Sequence, residues 1–164
     1  MVTVRAAGAV EPGSVALVLL AGGVGKRMGA PIPKQYIPLR GQPIATFSLE
    51  TMSKMPEFGE VVVVCNPDYK DVFEAATCKL PITFALPGDE RQDSVFNGLQ
   101  AVSDKAALVA IHDSARPLVT PEGTVPPLPH VCGRHRPIRA DNPRPNAAVE
   151  IEGQGSPHAR HHGV

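Results

Sequence analysis

Four apolar runs punctuate the first two-thirds of the chain: "SVALVLL" (Ser14–Leu20), "EVVVVC" (Glu60–Cys65), "ITFAL" (Ile82–Leu86) and "AALVAI" (Ala107–Ile111). A strand with one wet face alternates apolar and polar residues. A short run that stays apolar throughout reads as a strand covered on both faces. Helix-like segments lie between them. "PIATFSLETMSKM" (Pro43–Met55) opens with a proline at a permitted first position and carries apolar residues at helical spacing. "PDYKDVFEAA" (Pro67–Ala76) reads as a short helix. "DERQDSVFNGLQAV" (Asp89–Val102) is amphipathic, with acids in the turn where a helix dipole favours them. Doubly covered strands alternating with helices predict an α/β fold with a mainly parallel sheet and right-handed crossovers. In such sheets the ligand site lies beyond the carboxyl ends of the strands.

Composition narrows the partners. The 164 residues suit one domain, and net charge is zero, so no basic field points to nucleic acid. No apolar stretch reaches membrane-spanning length. The start, "MVTVRAAGAVEPGS", lacks a secretory apolar core. Cys65, Cys78 and Cys132 form no CxxC pair, which fits reduced thiols better than a disulfide framework.

Three polar motifs fall at the ends of the predicted strands. "LLAGGVGKRMGAPIPKQ" (Leu19–Gln35) gives backbone that can turn N–H groups toward an anion, beside Lys26, Arg27 and Lys34. Arginine can hold phosphate oxygens bidentately. A tight turn flanked by solvated cations would use the same residues. The stretch is neither a Walker A loop, which needs glycine at Leu20 and Ser or Thr at Arg27, nor a GxGxxG fingerprint, which needs glycine at Met28. "PGDERQDS" (Pro87–Ser94) fits an ordinary helix N-terminus, with Gly88 in a turn and Asp89 as cap, and equally a ligand-reading loop. "HDSARP" (His112–Pro117) follows the fourth strand directly.

In this order and spacing, "LLAGGVGKRMG…PKQY", "PGDERQDSV" and "HDSARP" resemble the 2-C-methyl-D-erythritol 4-phosphate cytidylyltransferases, and "PKQYIPLRGQPIATFSL" is similar to the plant form. The resemblance covers about Ser14 to Thr120. It implies a Rossmann-like nucleotidyltransferase sheet, incomplete at its C-terminal side, with residues 14–119 as the CTP-binding part. The implied reaction joins CTP to methylerythritol phosphate, releasing pyrophosphate, in plastid isoprenoid biosynthesis. Ala21, Gly22, Gly23 and Gly25 would wrap the nucleotide, and Arg27 and Lys34 would be the transition-state cations. Lys26 could be no more than a rim charge. Gly88, Asp89 and Ser94 would read cytosine. Asp113 would hold Mg²⁺ or another divalent cation, while Arg116 would order its loop and His112 would pack. The resemblance further implies the plastid stroma and the family's homodimer; no transit peptide is recognisable.

Residues 120–164 break the pattern. They contain eight prolines and five of the six histidines, with no lysine and no Phe, Tyr or Trp. "PPLPHVCGRHRPIRADNPRPN" has neither strand nor helix period, and such a segment is expected to be disordered. His130, Cys132, His135, His158, His161 and His162 lack the paired spacing of a zinc site. The family's projecting dimer arm and methylerythritol phosphate contacts have no counterpart there. An alternative reading frame, retained intron or misjoined exon is the expected source, and little or no activity the expected result. Two other readings stay open: a different nucleotidyltransferase, of molybdenum-cofactor or sugar-nucleotide type, and a non-catalytic truncated isoform.

Overall fold

A computed structural model describes residues 10–23, 32–120 and the backbone of 149–150. Strand β1 (Val15–Leu20) lies at the centre of a five-stranded sheet in which every pairing is parallel. On one side come β4 (Phe58–Val64) and then β5 (Ile82–Ala85). On the other come β6 (Leu108–Asp113) and β7 (Val149–Glu150). A separate hairpin, β2 (Pro38–Leu39) and β3 (Gln42–Pro43), precedes helix α1 (Ile44–Met52). Arg40 and Gly41 turn that hairpin with φ of 53° and 83°. Two positive φ values in succession are what a type I′ turn requires.

The continuous apolar runs are explained by what covers them. Leu17 and Leu19 of β1, with Val61 and Val63 of β4, face Ala45, Leu49 and Met52 of α1 and the buried Phe73. Ala16 and Val18, with Val62 and Val64, face Leu99 of helix α3 (Arg91–Gln100) and Val102 just beyond it. Alternate residues of one strand therefore enter two different cores. Helix α3 approaches closely because Gly98 is there. A Cβ on it would stand 2.6 Å from Val18 Cγ1 and 2.8 Å from Val64 Cγ2.

Two expectations need correction. The segment Pro67–Ala76 is not one helix but a 3-10 turn (Pro67–Tyr69) leading into the short α2 (Lys70–Glu74). Helix α3 begins after Glu90, so Asp89 is not its cap. Asp93 accepts the Glu90 N–H at 3.1 Å, one half of a capping box, and this fixes the start one residue later. Beyond Thr120 the described residues are Val149 and Glu150, which form β7. Val149 and Glu150 pair with Ala110 and Ile111. They come from "NAAVEI", a short proline-free stretch that keeps its N–H donors. The tail histidines and Cys132 lie outside the described residues.

Candidate functional site

The sheet order reverses at β1. From β1 the chain moves outward through β4 and β5, then returns to place β6 on β1's other side. The crevice at such a reversal, beyond the carboxyl ends, is where ligands of α/β sheets bind. Leu20, the last residue of β1, is in register with Val64 on one side and Asp113 on the other. Ala21 N–H continues the ladder to Val64 O at 2.8 Å, and Ser114 N–H reaches Leu20 O at 3.0 Å. The "AGG" and "HDSARP" motifs thus leave the sheet side by side.

The third motif joins them through a close approach. A Cβ on Gly22 would run into the Pro87 side chain, so the loop after β5 rests against the loop after β1. Gly88 is likewise without room for a Cβ, which would meet Asp93. Ser94 ties this loop: its Oγ accepts Gly88 N–H at 3.0 Å and donates to Glu90 O at 3.2 Å. Asn97 adds a bond from its amide to Leu86 O at 3.0 Å. A hydroxyl has one proton and two lone pairs. With the proton on Glu90 O and one pair on Gly88, Ser94 keeps one acceptor position for a ligand.

Asp113 is half-buried at the end of β6. Its Oδ1 accepts Ala115 N–H at 3.0 Å, and its carbonyl accepts Arg116 N–H at 3.0 Å, so the loop curls back over the strand end. His112 is buried in the same strand, with Nε2 3.3 Å from Arg116 O. Among the described residues no group of three or more His, Cys, Asp or Glu could hold a metal. A lone carboxylate does not make a resident cage. It does fit Mg²⁺ delivered with a polyphosphate, because Mg²⁺ is held by one or two carboxylates plus substrate oxygens.

Lys34 opens a 3-10 turn (Lys34–Tyr36) and is exposed, while its neighbours Gln35 and Tyr36 are buried. Gln35 donates from Nε2 to Ala21 O at 2.8 Å and to Gly23 O at 2.6 Å. Tyr36 OH donates to Ala21 O at 2.8 Å. The Tyr36 ring stacks on Tyr69, with centroids 3.8 Å apart and planes 6° apart, and meets Phe73 edge-on at 6.2 Å. Burial holds the Tyr36 phenol well above the usual range, with Cys65 and Tyr69 adding to the rise, so it stays a neutral donor. Sequence reasoning passed over Gln35 and Tyr36. The prolines at 33 and 38 mark a turn around them, but nothing in three residues of turn reveals which side chains point inward. Gly25, Lys26 and Arg27 lie outside the described residues. The structure therefore brings Ala21, Gly22, Gly23, Gly88, Ser94 and Asp113 to the same end of the sheet, with Lys34 exposed beside Gln35, which holds the first loop, and Asp89 exposed in the third.

Residues 15–129 match the family model described as 2-C-methyl-D-erythritol 4-phosphate cytidylyltransferase, a span that passes the break in composition near Thr120. The chloroplastic enzyme of that name from Oryza sativa subsp. japonica is 60% identical over 116 residues, covering 70% of this chain and 39% of its own. The Chlamydia pneumoniae protein of the same name is 40% identical over 148 residues, covering 81% and 67%. A crystal structure of 4-diphosphocytidyl-2C-methyl-D-erythritol synthase from Anaerococcus prevotii superposes with a TM-score of 0.55 at 26% identity, covering 66% of this chain and 46% of that one. The chain thus spans between about two-fifths and two-thirds of the length of these relatives.

Proposed function

The chain belongs to the 2-C-methyl-D-erythritol 4-phosphate cytidylyltransferase family, and from that premise we propose that its carboxyl-end crevice is the CTP side of a cytidylyl transfer. The observation that carries the reading is the convergence of three separate motifs at the sheet reversal: Leu20 beside Asp113, and Gly22 against Pro87. A different kind of nucleotidyltransferase is disfavoured by the family match.

In the reaction, a phosphate oxygen of methylerythritol phosphate attacks the α-phosphorus of CTP. A new P–O bond forms as the bond to pyrophosphate breaks. The attacking group is already ionised, so no general base is required, and His112 is left to packing. Two anions must meet, and the protein's work is positioning and charge neutralisation. Backbone amides of Gly22, Gly23 and Gly25 would line the phosphates; Ala21, with its N–H on Val64 O and its carbonyl accepting from Gln35 and Tyr36, anchors that loop from behind instead of contacting the nucleotide as the resemblance implied. Arg27 and Lys34 would oppose charge that builds in the transition state. Asp113 would hold a divalent cation, which when bound neutralises phosphate oxygens.

Ser94 supports a cytosine reader of defined sense. Its remaining acceptor position suits the exocyclic amine of cytosine, a donor, and not the carbonyl that uracil carries in its place. Gly88 and Asp89 would add backbone contacts. The chloroplastic designation of the rice relative supports a plastid location.

Titration calorimetry with CTP and UTP, each with Mg²⁺, tests this. CTP should bind more tightly, and Ser94→Ala should reduce the preference by about 1 kcal/mol, a typical net hydrogen-bond contribution. Equal affinities in the parent chain would remove the base-reading role.

A further inference from the structure

We propose that Gln35 is a positioning residue for the nucleotide: its carboxamide sets which way the peptides of the first loop face. The inference rests on the nucleotide reading above and adds a residue to which that reading gives no role.

Both partners of the Gln35 amide are carbonyl oxygens, Ala21 O and Gly23 O. Only the NH₂ end of the carboxamide can serve two acceptors, so its orientation is fixed by the bonds themselves. Ala21 O also takes the Tyr36 hydroxyl, and its two lone pairs are then both used. In a trans peptide the C=O and the N–H point in opposite directions. With the Ala21 carbonyl drawn inward to buried Gln35, the Gly22 N–H must face the other way, out of the core. It takes no acceptor among the described residues. The other end of the same segment is pinned by Ala21 N–H on Val64 O. A loop tied inward by its carbonyls and bare outward at an amide is preorganised for an anion.

Gln35 is 2% exposed, and its Oε1 is buried with no partner among the described residues. Leaving that acceptor unsatisfied is unfavourable for the fold. The two carbonyl bonds are what the side chain gains in return, and they hold the segment Ala21–Gly23 where it leaves β1.

The test uses the full chain with Gln35→Leu and Gln35→Glu, read by calorimetric titration with CTP, UTP and CMP in Mg²⁺. Leucine removes both donors. Glutamate keeps the shape but turns an oxygen toward two carbonyls. Each variant should lose CTP affinity by about tenfold or more, the scale of one to two lost hydrogen bonds. CMP, with a single phosphate, should lose less than about threefold, and the CTP-to-UTP ratio should stay within about twofold of the parent, since the base is read elsewhere. Circular dichroism reports whether each variant folds, and Gln35→Glu carries the test if Gln35→Leu does not. Equal loss for CTP and CMP would assign Gln35 to general stability and overturn the proposal, as would unchanged CTP affinity. A parent chain that binds no nucleotide would overturn the functional reading, and this inference with it.

Discussion

Cys65 closes the second buried strand run with a side chain that has no solvent exposure. Burial pushes its thiol from 9.0 up to about 11, against a smaller downward pull from Lys70. The sign of the effect on stability follows from linkage. The folded chain holds this proton more tightly than the unfolded chain does, so the contribution is present below pH 9.0 and is lost as pH rises through about 11. The loss from this one thiol is on the order of 2–3 kcal/mol at roughly 1.4 kcal/mol per unit. Tyr36, also shifted upward by burial, adds in the same direction. Urea unfolding across this range should show stability falling with pH, and Cys65→Ala should make the fall shallower. A parallel decline in both proteins would show that the thiol ionises freely in the fold. Gly98 gives a second single-residue case. Alanine there would gain up to about 1 kcal/mol of helix propensity. It would also force a methyl against Val18 and Val64, both fully buried, and overpacking costs about 1–3 kcal/mol. Gly98→Ala should therefore destabilise, by up to about 2 kcal/mol, in the same urea measurement, despite sitting in a helix.

Helix α3 shows how an element carries the site. Its first turn is held by the Asp93 carboxylate on Glu90 N–H and by Ser94 on Gly88 N–H and Glu90 O, so the cap and the candidate base reader are one structure. Asp93→Ala should cost about 1 kcal/mol, a usual capping contribution. It should also weaken the preference for CTP over UTP, because the loop that fixes Ser94 would fray. A variant with lower urea stability and an intact preference would separate cap from reader. The same element marks what was legible in the sequence. Period and run length placed the strands and α3 to within two residues at most ends, because burial on one or both faces dictates apolar spacing. The motif positions followed, since strand ends are where such sheets bind. What escaped has no period to read. The Arg40-Gly41 turn uses arginine where asparagine is the usual signal. Gln35 points inward from a three-residue turn. The β7 strand is too short to show alternation, and long-range pairing with β6 selects it.

Across the whole molecule, nucleotide binding and turnover should separate. The sheet reversal assembles the proposed CTP side from residues before Thr120. No acceptor contact is assigned among the described residues, and the 164 residues span 39% of the rice relative and 67% of the chlamydial one. Holding both reactants in one geometry is worth about 7–11 kcal/mol of barrier, and an enzyme that holds only one forgoes it. Among the described residues β7 pairs only with Ala110 and Ile111 of β6, leaving the rest of that edge without a strand neighbour there. Unpaired edges invite association. A polypeptide of these 164 residues should therefore gain thermal stability from CTP and Mg²⁺, by roughly 2.7 kcal/mol at a hundred times the dissociation constant. It should release no pyrophosphate above background when methylerythritol phosphate is added, and it should sediment as a concentration-dependent mixture. Stabilisation without turnover would identify a nucleotide-binding, non-catalytic chain. Rapid pyrophosphate release from a uniform dimer would mean that residues beyond Thr120 supply an acceptor site of their own.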